Sequence, residues 1–309
     1  MTIATILAAA AASAAVSLYT PTGDLQGTEL IPEAKAPVPV VLLIAGSGPT
    51  DRDGNSRLLG GANNSLKLLA EALAEEGIAS VRYDKRGIAA SAPAGVSEVD
   101  LRFEQYVDDA AAWIAKLKSD PRFSRVTVVG HSEGSLIGML AAKKSGAASF
   151  VSIAGIARPA DAVLRDQLKG KLPPALAEEN ERVLASLTAG KTVADADPKL
   201  ASLYRPSVQP YLISWMSYRP AEVVKTLGMP VLILQGSNDI QVGVEEARAL
   251  NAAASGSRLV LVEGMNHVLK VTPTDPAAQR ASYSDPTLPV AKPLVDAIVG
   301  FVKPSGLRN

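Results

Sequence analysis

The chain has 309 residues, of which 47% are hydrophobic and 20% are charged, a composition typical of a globular protein that buries a large core. Its 31 basic and 31 acidic residues cancel and no long run of one sign occurs, so we expect neither nucleic acid nor an anionic membrane surface as a partner. The absence of cysteine excludes disulfides, thiolate metal sites and cysteine nucleophiles.

The first twenty residues combine features of an export signal with features of folded structure. Residues 5–18 form an alanine-rich apolar stretch of signal-peptide length that ends in small residues, although no Lys or Arg precedes it. The stretch is too short for a membrane span. The alternative is an N-terminal helix that runs into a first strand at residues 15–19. We expect an exported, periplasmic protein rather than a cytoplasmic one, without stable membrane insertion of the mature chain.

Short apolar runs that alternate with helical patterns predict an α/β fold, in which helices cover both faces of a mostly parallel central sheet. A hairpin is predicted at residues 16–19 and 25–31, and further strands at 38–45, 78–83, 126–129, 150–154, 231–234 and 259–262. Amphipathic periodicity predicts helices at 65–76, 101–118, 136–144, 220–227, 245–254 and 289–302.

One interval between predicted strands is too long for a single crossover helix. It separates the strand at 150–154 from the strand at 231–234. Helical patterns at 161–169, 175–189, 198–204 and 210–218, with several prolines among them, predict a small helical cap at residues 158–219. The cap would be inserted before the strand that carries the candidate catalytic acid, and residues 16–157 and 220–309 would form the α/β core.

A G-x-S-x-G pentapeptide follows directly after the predicted strand at 126–129. It consists of Gly130-His131-Ser132-Glu133-Gly134. Although the pattern itself is common, its position predicts a sharp turn from strand to helix, in which the glycines let two backbones pass closely. The turn would present the Ser132 hydroxyl as a nucleophile at the rim of the sheet. His131 would point into the sheet or against a neighbouring loop and have a structural role.

Two candidate partners for Ser132 follow later strands of the predicted sheet. Asp239 and His267 each come just after a strand, so both lie at the same carboxyl edge as Ser132. The chain order Ser, Asp, His is the one expected when a nucleophile, an orienting acid and a general base are built on an α/β sheet. The alternative for Asp239 is a turn residue, and Asp161 is then the rival acid.

A glycine-rich loop at residues 45–55 follows the strand expected beside the pentapeptide. We predict that the backbone N–H groups of Ser47 and Glu133 form an oxyanion hole. The Glu133 carboxylate would then be a surface or loop-pairing group. Alternating aspartates in the loop also suggest calcium, but the EF-hand pattern fails at Ser56, which should be glycine, and at Ala62, which should be glutamate. No metal site is therefore predicted.

Charged residues at the same rim predict ion pairs that brace the loops. Arg52 and Arg86 are the candidate cations, and their candidate partners are Asp51, Asp53 and Asp84. These pairs would hold the loops without taking part in chemistry.

Four aromatic residues stand close together in the predicted cap. They are Tyr204, Tyr211, Trp215 and Tyr218, and the last three share one helical face. This face either lines an apolar acyl pocket or packs the cap onto the core, and the sequence leaves both interpretations open.

Taken together, these motifs resemble a known family. The segments at 46–55, 84–87, 130–134, 237–239 and 264–267 look like those of a bacterial α/β-hydrolase of the serine aminopeptidase/lysophospholipase-like group. The resemblance implies an α/β-hydrolase fold, a triad of Ser132, Asp239 and His267, no cofactor, and activity on carboxylic esters. One departure is Ala45, which stands where many relatives carry histidine, so the bracing of the loop differs while its backbone donors remain.

We therefore expect a serine carboxylesterase that cleaves a small-molecule ester through an acyl-enzyme. An amidase or aminopeptidase would use the same triad but would need to bind a free amine, most simply through Glu178, Glu179 or Glu181 of the cap. A thioesterase is a further alternative, and so is a hydrolase-like binding protein, although no triad residue is missing. The oligomeric state cannot be predicted from the sequence.

Overall fold

An eight-stranded sheet forms the centre of the protein in the computed structural model, which describes residues 11–56 and 61–303. Its strands lie in the order β1-β2-β4-β3-β5-β6-β7-β8. β2 is antiparallel to β1 and β4, and the neighbours from β4 to β8 are parallel. The strands are β1 (Ala11–Leu18), β2 (Leu25–Pro32), β3 (Val38–Ile44), β4 (Ala79–Tyr83), β5 (Phe123–His131), β6 (Ser149–Ile153), β7 (Val231–Gly236) and β8 (Arg258–Val262). The predicted α/β-hydrolase sheet, mostly parallel with an N-terminal hairpin, is confirmed.

The described residues also form eleven α-helices. They are α1 (Ser65–Glu75), α2 (Phe103–Ser119), α3 (Glu133–Ser145), α4 (Ala160–Leu168), α5 (Pro174–Thr188), α6 (Ala201–Tyr204), α7 (Gln209–Met216), α8 (Pro220–Val224), α9 (Val244–Ala253), α10 (Pro276–Ser282) and α11 (Lys292–Val302). The sequence analysis missed α10, because this seven-residue helix has no apolar periodicity and is started by the Asp275 side chain, which caps the N–H groups of Ala277 and Ala278. In the described part of the chain, no helix has the length and apolar character needed to cross a membrane.

Helices cover the sheet on both faces because its central strands are apolar on both faces. Along β3, Val40 and Leu42 contribute to one core, whereas Val41 and Leu43 contribute to the other. The first core contains the buried faces of α2, α3 and α9, and the second contains those of α1 and α11. This two-sided burial leaves the carboxyl ends of the parallel strands as the rim on which loops can carry chemistry.

The alanine-rich N-terminal segment contributes an edge strand. β1 begins at Ala11 and pairs with β2 over eight residues, so the strand predicted at 16–19 is longer than expected. Residues 11–14 are strand, and the helical alternative is therefore wrong for them. Residues 1–10, which contain much of the predicted export signal, lie outside the described residues, and export stays a prediction.

The interval between β6 and β7 contains α4 to α8. Apolar side chains of these helices, among them Leu184 and Leu187 of α5 and Leu212 of α7, join the core that α2 and α3 form with the sheet. The backbone N–H of Phe103, at the start of α2, donates a hydrogen bond to Ser214 Oγ of the inserted segment at 2.9 Å. The inserted helices thus pack onto α2 and onto the core on its side of the sheet, and the Tyr211 hydroxyl of α7 reaches Glu133, the residue after Ser132.

Candidate active site

Ser132 lies at a sharp turn between β5 and α3. Its backbone has φ 55° and ψ −122°, a conformation that is strained for a residue with a side chain. A Cβ on Gly130 would lie 2.1 Å from the Gly134 carbonyl oxygen, and one on Gly134 would lie 2.4 Å from the Ile44 carbonyl oxygen. Both glycines are therefore required for the backbones of β3, β5 and α3 to approach this closely, and together they hold the partly exposed Ser132 at the rim.

His267 and Asp239 are in direct contact at the same rim. His267 Nδ1 lies 2.8 Å from Asp239 Oδ2, and both side chains are buried. Asp239 Oδ1 also accepts the N–H groups of Gln241 and Val242 at 2.8 and 2.9 Å. Burial alone would raise the pKa of Asp239, but the facing His267 and these hydrogen bonds outweigh it and lower the pKa below its usual value. The carboxylate is therefore ionised and orients the imidazole.

His131 supports this pair from the residue next to Ser132. Its Nε2 lies 2.8 Å from the His267 carbonyl oxygen and therefore donates a hydrogen bond to it. The two imidazole rings are 4.8 Å apart. Burial, together with repulsion from His267, lowers the pKa of His131 to about 3. His131 thus stays neutral and holds the main chain at His267, which agrees with the structural role expected for it.

The Ser132 hydroxyl makes no hydrogen bond to His267 or to any other residue in the described ranges, although a bond between Asp239 and His267 is formed. Hydrogen bonds between nucleophile and base are often long in ligand-free enzymes and shorten when substrate binds. Of the three predicted residues, the structure thus brings His267 and Asp239 into direct contact. It also places His131, the neighbour of Ser132, in contact with His267. Asp161, the rival acid, pairs with Arg165 one turn further along α4.

The loop after β3 lies beside Ser132. A Cβ on Gly46 would be 3.2 Å from the Ser132 Cβ, so the loop backbone passes close to the candidate nucleophile and leaves little room for a side chain there. The Thr50 hydroxyl donates to the Ser47 carbonyl at 2.8 Å and closes the loop into a turn. Within the described residues, the N–H groups of Ser47 and Glu133 have no hydrogen-bond partner and are free to bind a ligand oxygen.

The Glu133 carboxylate is buried, so the expectation of a surface group is wrong and that of a loop-pairing group is correct. Lys85, in the loop after β4, donates to Glu133 Oε2 at 2.8 Å and to the Gly46 carbonyl at 2.6 Å. The Tyr211 hydroxyl of α7 donates to Glu133 Oε1 at 2.5 Å. The sequence analysis assigned no role to Lys85, because its partners are 39 and 48 positions away along the chain.

A cavity of about 440 Å³ opens beside Glu133, between the sheet rim and the inserted helices. Tyr211 is the one member of the predicted aromatic group that lines it. The other three do not line this cavity: the Tyr204 hydroxyl donates to Asn180, the Trp215 ring is stacked 6.3 Å from Phe103, and the Tyr218 hydroxyl donates to Glu104. The contacts of these three residues, within the inserted helices or onto α2, favour the packing interpretation, and their role in a substrate pocket stays a prediction.

Ion pairs brace the rim, partly as predicted. Arg52 binds Asp84 with a distance of 2.8 Å between its Nη2 and the Oδ2 of the carboxylate. Arg86 instead forms a buried pair with Asp109 of α2, so its predicted partners are wrong. The sequence does not reveal this pair because Asp109 is on a helix that packs over the rim from elsewhere in the chain.

The aspartates of the loop at 45–55 have structural partners of their own. Asp53 pairs with Arg82 at 2.6 Å, and its carbonyl accepts the N–H of Leu66 at the start of α1, which anchors the far end of the loop. Asp51 Oδ1 accepts the N–H groups of Asp53 and Asn55, both at 2.9 Å. These contacts give the alternating acidic pattern a turn-forming role.

The chain is similar in sequence to known proteins. The family model described as serine aminopeptidase, S33, matches residues 60–273, which is more than half of the chain. The chain belongs to this family. It is 31% identical over 248 residues to esterase EstD from Thermotoga maritima, a match that covers 79% of this chain and spans 58% of the length of that relative.

The chain also has the same fold as proteins whose structures have been solved. Est1E from Butyrivibrio proteoclasticus with ferulic acid bound has a TM-score of 0.62 and 18% identity, with 93% of this chain and 96% of that chain covered. The α/β hydrolase GrgF from Penicillium sp. has a TM-score of 0.58 and 19% identity, with 83% and 91% covered. The protein therefore has the α/β-hydrolase fold, as its motifs indicated.

Proposed function

We propose that the protein is a serine carboxylesterase. His267 takes the Ser132 proton as Ser132 Oγ attacks the ester carbonyl carbon, and Asp239 stabilises the imidazolium that forms. The N–H groups of Ser47 and Glu133 bind the oxyanion of the tetrahedral intermediate. The alcohol then leaves with the proton from His267. A water molecule, deprotonated by His267, attacks the acyl carbon, and Ser132 Oγ leaves with that proton as the acid is released.

The observation that carries this proposal is the 2.8 Å contact between His267 and the ionised Asp239, on the rim that holds the strained Ser132. In the proposed mechanism this carboxylate fixes the imidazole tautomer and leaves the other ring nitrogen to exchange a proton with Ser132. The esterase activity of the Thermotoga relative and the ferulic acid bound to Est1E support ester chemistry, and membership of the family supports hydrolysis.

The charges around the cavity favour an uncharged acyl or alcohol group as its occupant. Lys85 pairs with Glu133, Arg86 pairs with Asp109, and Arg205 of the cap pairs with Glu98. In the described part of the chain, every charged residue that lines this cavity is thus paired with a residue of opposite charge. A substrate amine or carboxylate would have to compete with these pairs, and two of them, Lys85–Glu133 and Arg86–Asp109, are buried and costly to break.

This balance also disfavours the aminopeptidase alternative. The acidic residues proposed to bind a free amine, Glu178, Glu179 and Glu181, are on α5 and do not line the cavity. Glu179 pairs with Arg182, and Glu181 pairs with Arg165. We therefore expect p-nitrophenyl esters to be cleaved much faster than aminoacyl p-nitroanilides. The reverse ranking would favour the aminopeptidase.

The experiment that tests the proposal replaces Ser132 with alanine. Ser132→Ala should lower kcat on p-nitrophenyl esters by about 10⁴-fold and abolish labelling by a fluorophosphonate, because the nucleophilic oxygen is lost. The matched control is Ser145→Ala at the other end of α3, where the hydroxyl donates to the Ala111 carbonyl. That variant should keep activity and labelling. Near-normal hydrolysis by Ser132→Ala would refute the assignment.

A further inference from the structure

We propose that Lys85 is a positioning residue that assembles the oxyanion hole. Its ammonium holds both segments that carry the donors, the Gly46–Ser47 peptide through the Gly46 carbonyl and the start of α3 through the Glu133 carboxylate. The inference rests on the proposed function, since it concerns the orientation of the two N–H groups assigned to the oxyanion.

The first contact sets the direction of the Ser47 N–H. The Gly46 carbonyl and the Ser47 N–H belong to one planar trans peptide, so they point in opposite directions. A Lys85 Nζ that lies 2.6 Å from the carbonyl oxygen therefore turns the N–H away from itself. Without this bond the peptide is freer to flip, because the flip turns on ψ of residue 46, and Gly46 has no Cβ to restrict it.

The second contact ties this peptide to the other donor. Lys85 Nζ lies 2.8 Å from Glu133 Oε2, and Glu133 directly follows the nucleophile. The ammonium is also 5.0 Å from the centre of the Tyr106 ring, which favours a cation at this position. A single side chain thus holds the loop after β3 and the start of α3 at a constant separation, which is the geometry that a two-donor oxyanion hole requires.

Stability alone does not explain a buried lysine here. The side chains of Lys85 and Glu133 are only 1% and 2% exposed, and replacing a buried ion pair by apolar groups is often neutral or stabilising. Because the pair is neutral as a whole, we expect Lys85 to act through geometry and not by placing a net positive charge beside the oxyanion. Its replacement should therefore reduce binding of the transition state and leave binding of the ground state unchanged.

The test is Lys85→Met, which keeps the length of the side chain and removes the donor. We expect kcat for ester hydrolysis to fall roughly 10²-fold with KM within about threefold of wild type, the result expected when one oxyanion donor is misplaced. Affinity for a boronic acid, whose tetrahedral adduct with Ser132 places an oxygen in the hole, should fall by a similar factor. Inhibition by the product acid, a ground-state ligand, should not change.

The matched control is Arg122→Met, which breaks the ion pairs with Glu29 and Asp120 just before β5, at the edge of the sheet opposite Ser132. It should leave kcat and boronate affinity within threefold of wild type. If Lys85→Met keeps normal kcat, or loses kcat with unchanged boronate affinity, the inference is wrong. If wild type itself neither hydrolyses esters nor reacts with a fluorophosphonate at Ser132, the proposed function has failed instead.

A second variant covers the case in which Lys85→Met does not fold. Lys85 lines the cavity, so a small alkylammonium ion can reach the space left by Lys85→Ala. Ethylammonium should restore kcat in this variant in a saturable manner, whereas ethanol, which has no charge to offer Glu133, should not. Equal effects of the two additives, or no recovery with either, would overturn the inference.

Discussion

Acid should destabilise the protein through His131, because this histidine is neutral when folded. Its pKa is about 3 in the folded protein and about 6.5 when it is exposed to water. Below pH 6.5 the unfolded chain gains a proton that the folded protein does not bind, so the free energy of unfolding decreases as the pH falls from about 6.5 towards 3. The loss should reach about 2 kcal/mol at pH 5, and its limit, set by the whole shift, is about 5 kcal/mol.

The assay is urea unfolding of wild type and of His131→Gln at pH 8 and at pH 5. Glutamine does not titrate, and its side-chain amide can still donate to the His267 carbonyl, which His131 Nε2 contacts at 2.8 Å. His267 and Asp239, the titratable groups that face His131, are present in both proteins and largely cancel in the comparison. Between the two pH values, wild type should lose about 2 kcal/mol more than the variant. Equal losses would refute the claim that His131 is held neutral.

Three further substitutions test other parts of the structure. Gly134→Ala should cost more than about 3 kcal/mol, since the new Cβ would lie 2.4 Å from the Ile44 carbonyl oxygen, whereas Gly300→Ala, in open space on α11, should stabilise by about 0.5–1 kcal/mol in the same thermal-unfolding assay. A similar response of both variants would contradict the close packing at the turn. Asp239→Asn should lower kcat by about 10³- to 10⁴-fold, because the amide cannot stabilise an imidazolium at 2.8 Å; a loss below tenfold would show that another acid serves. Trp215→Ala should cost about 2–3 kcal/mol through lost stacking on Phe103, with an unchanged preference among esters of graded acyl length; a changed preference would place Trp215 in the substrate pocket.

The sequence by itself determined the sheet, most of the helices and the positions of the candidate catalytic residues. Strands such as β3 are apolar on both faces, a pattern visible in consecutive residues, and helices therefore cover both sides of the sheet. The turn at Ser132 is encoded equally locally, by glycines at positions 130 and 134 after an apolar strand. Asp239 and His267 could be placed at the same rim because parallel strands end on the same side.

Only the tertiary structure decided which charged and aromatic groups meet. Lys85 contacts Glu133, and Arg86 contacts Asp109, because the loop after β4 is covered by α2 and faces the start of α3. Tyr211 reaches the cavity while Trp215, one turn later on the same helix, stacks on α2. Partners of this kind are separated by many residues along the chain. A long charged side chain such as that of Lys85 or Arg86 has several residues of opposite charge as possible partners. The choice among them depends on how helices pack on the sheet, which no local pattern of residues records.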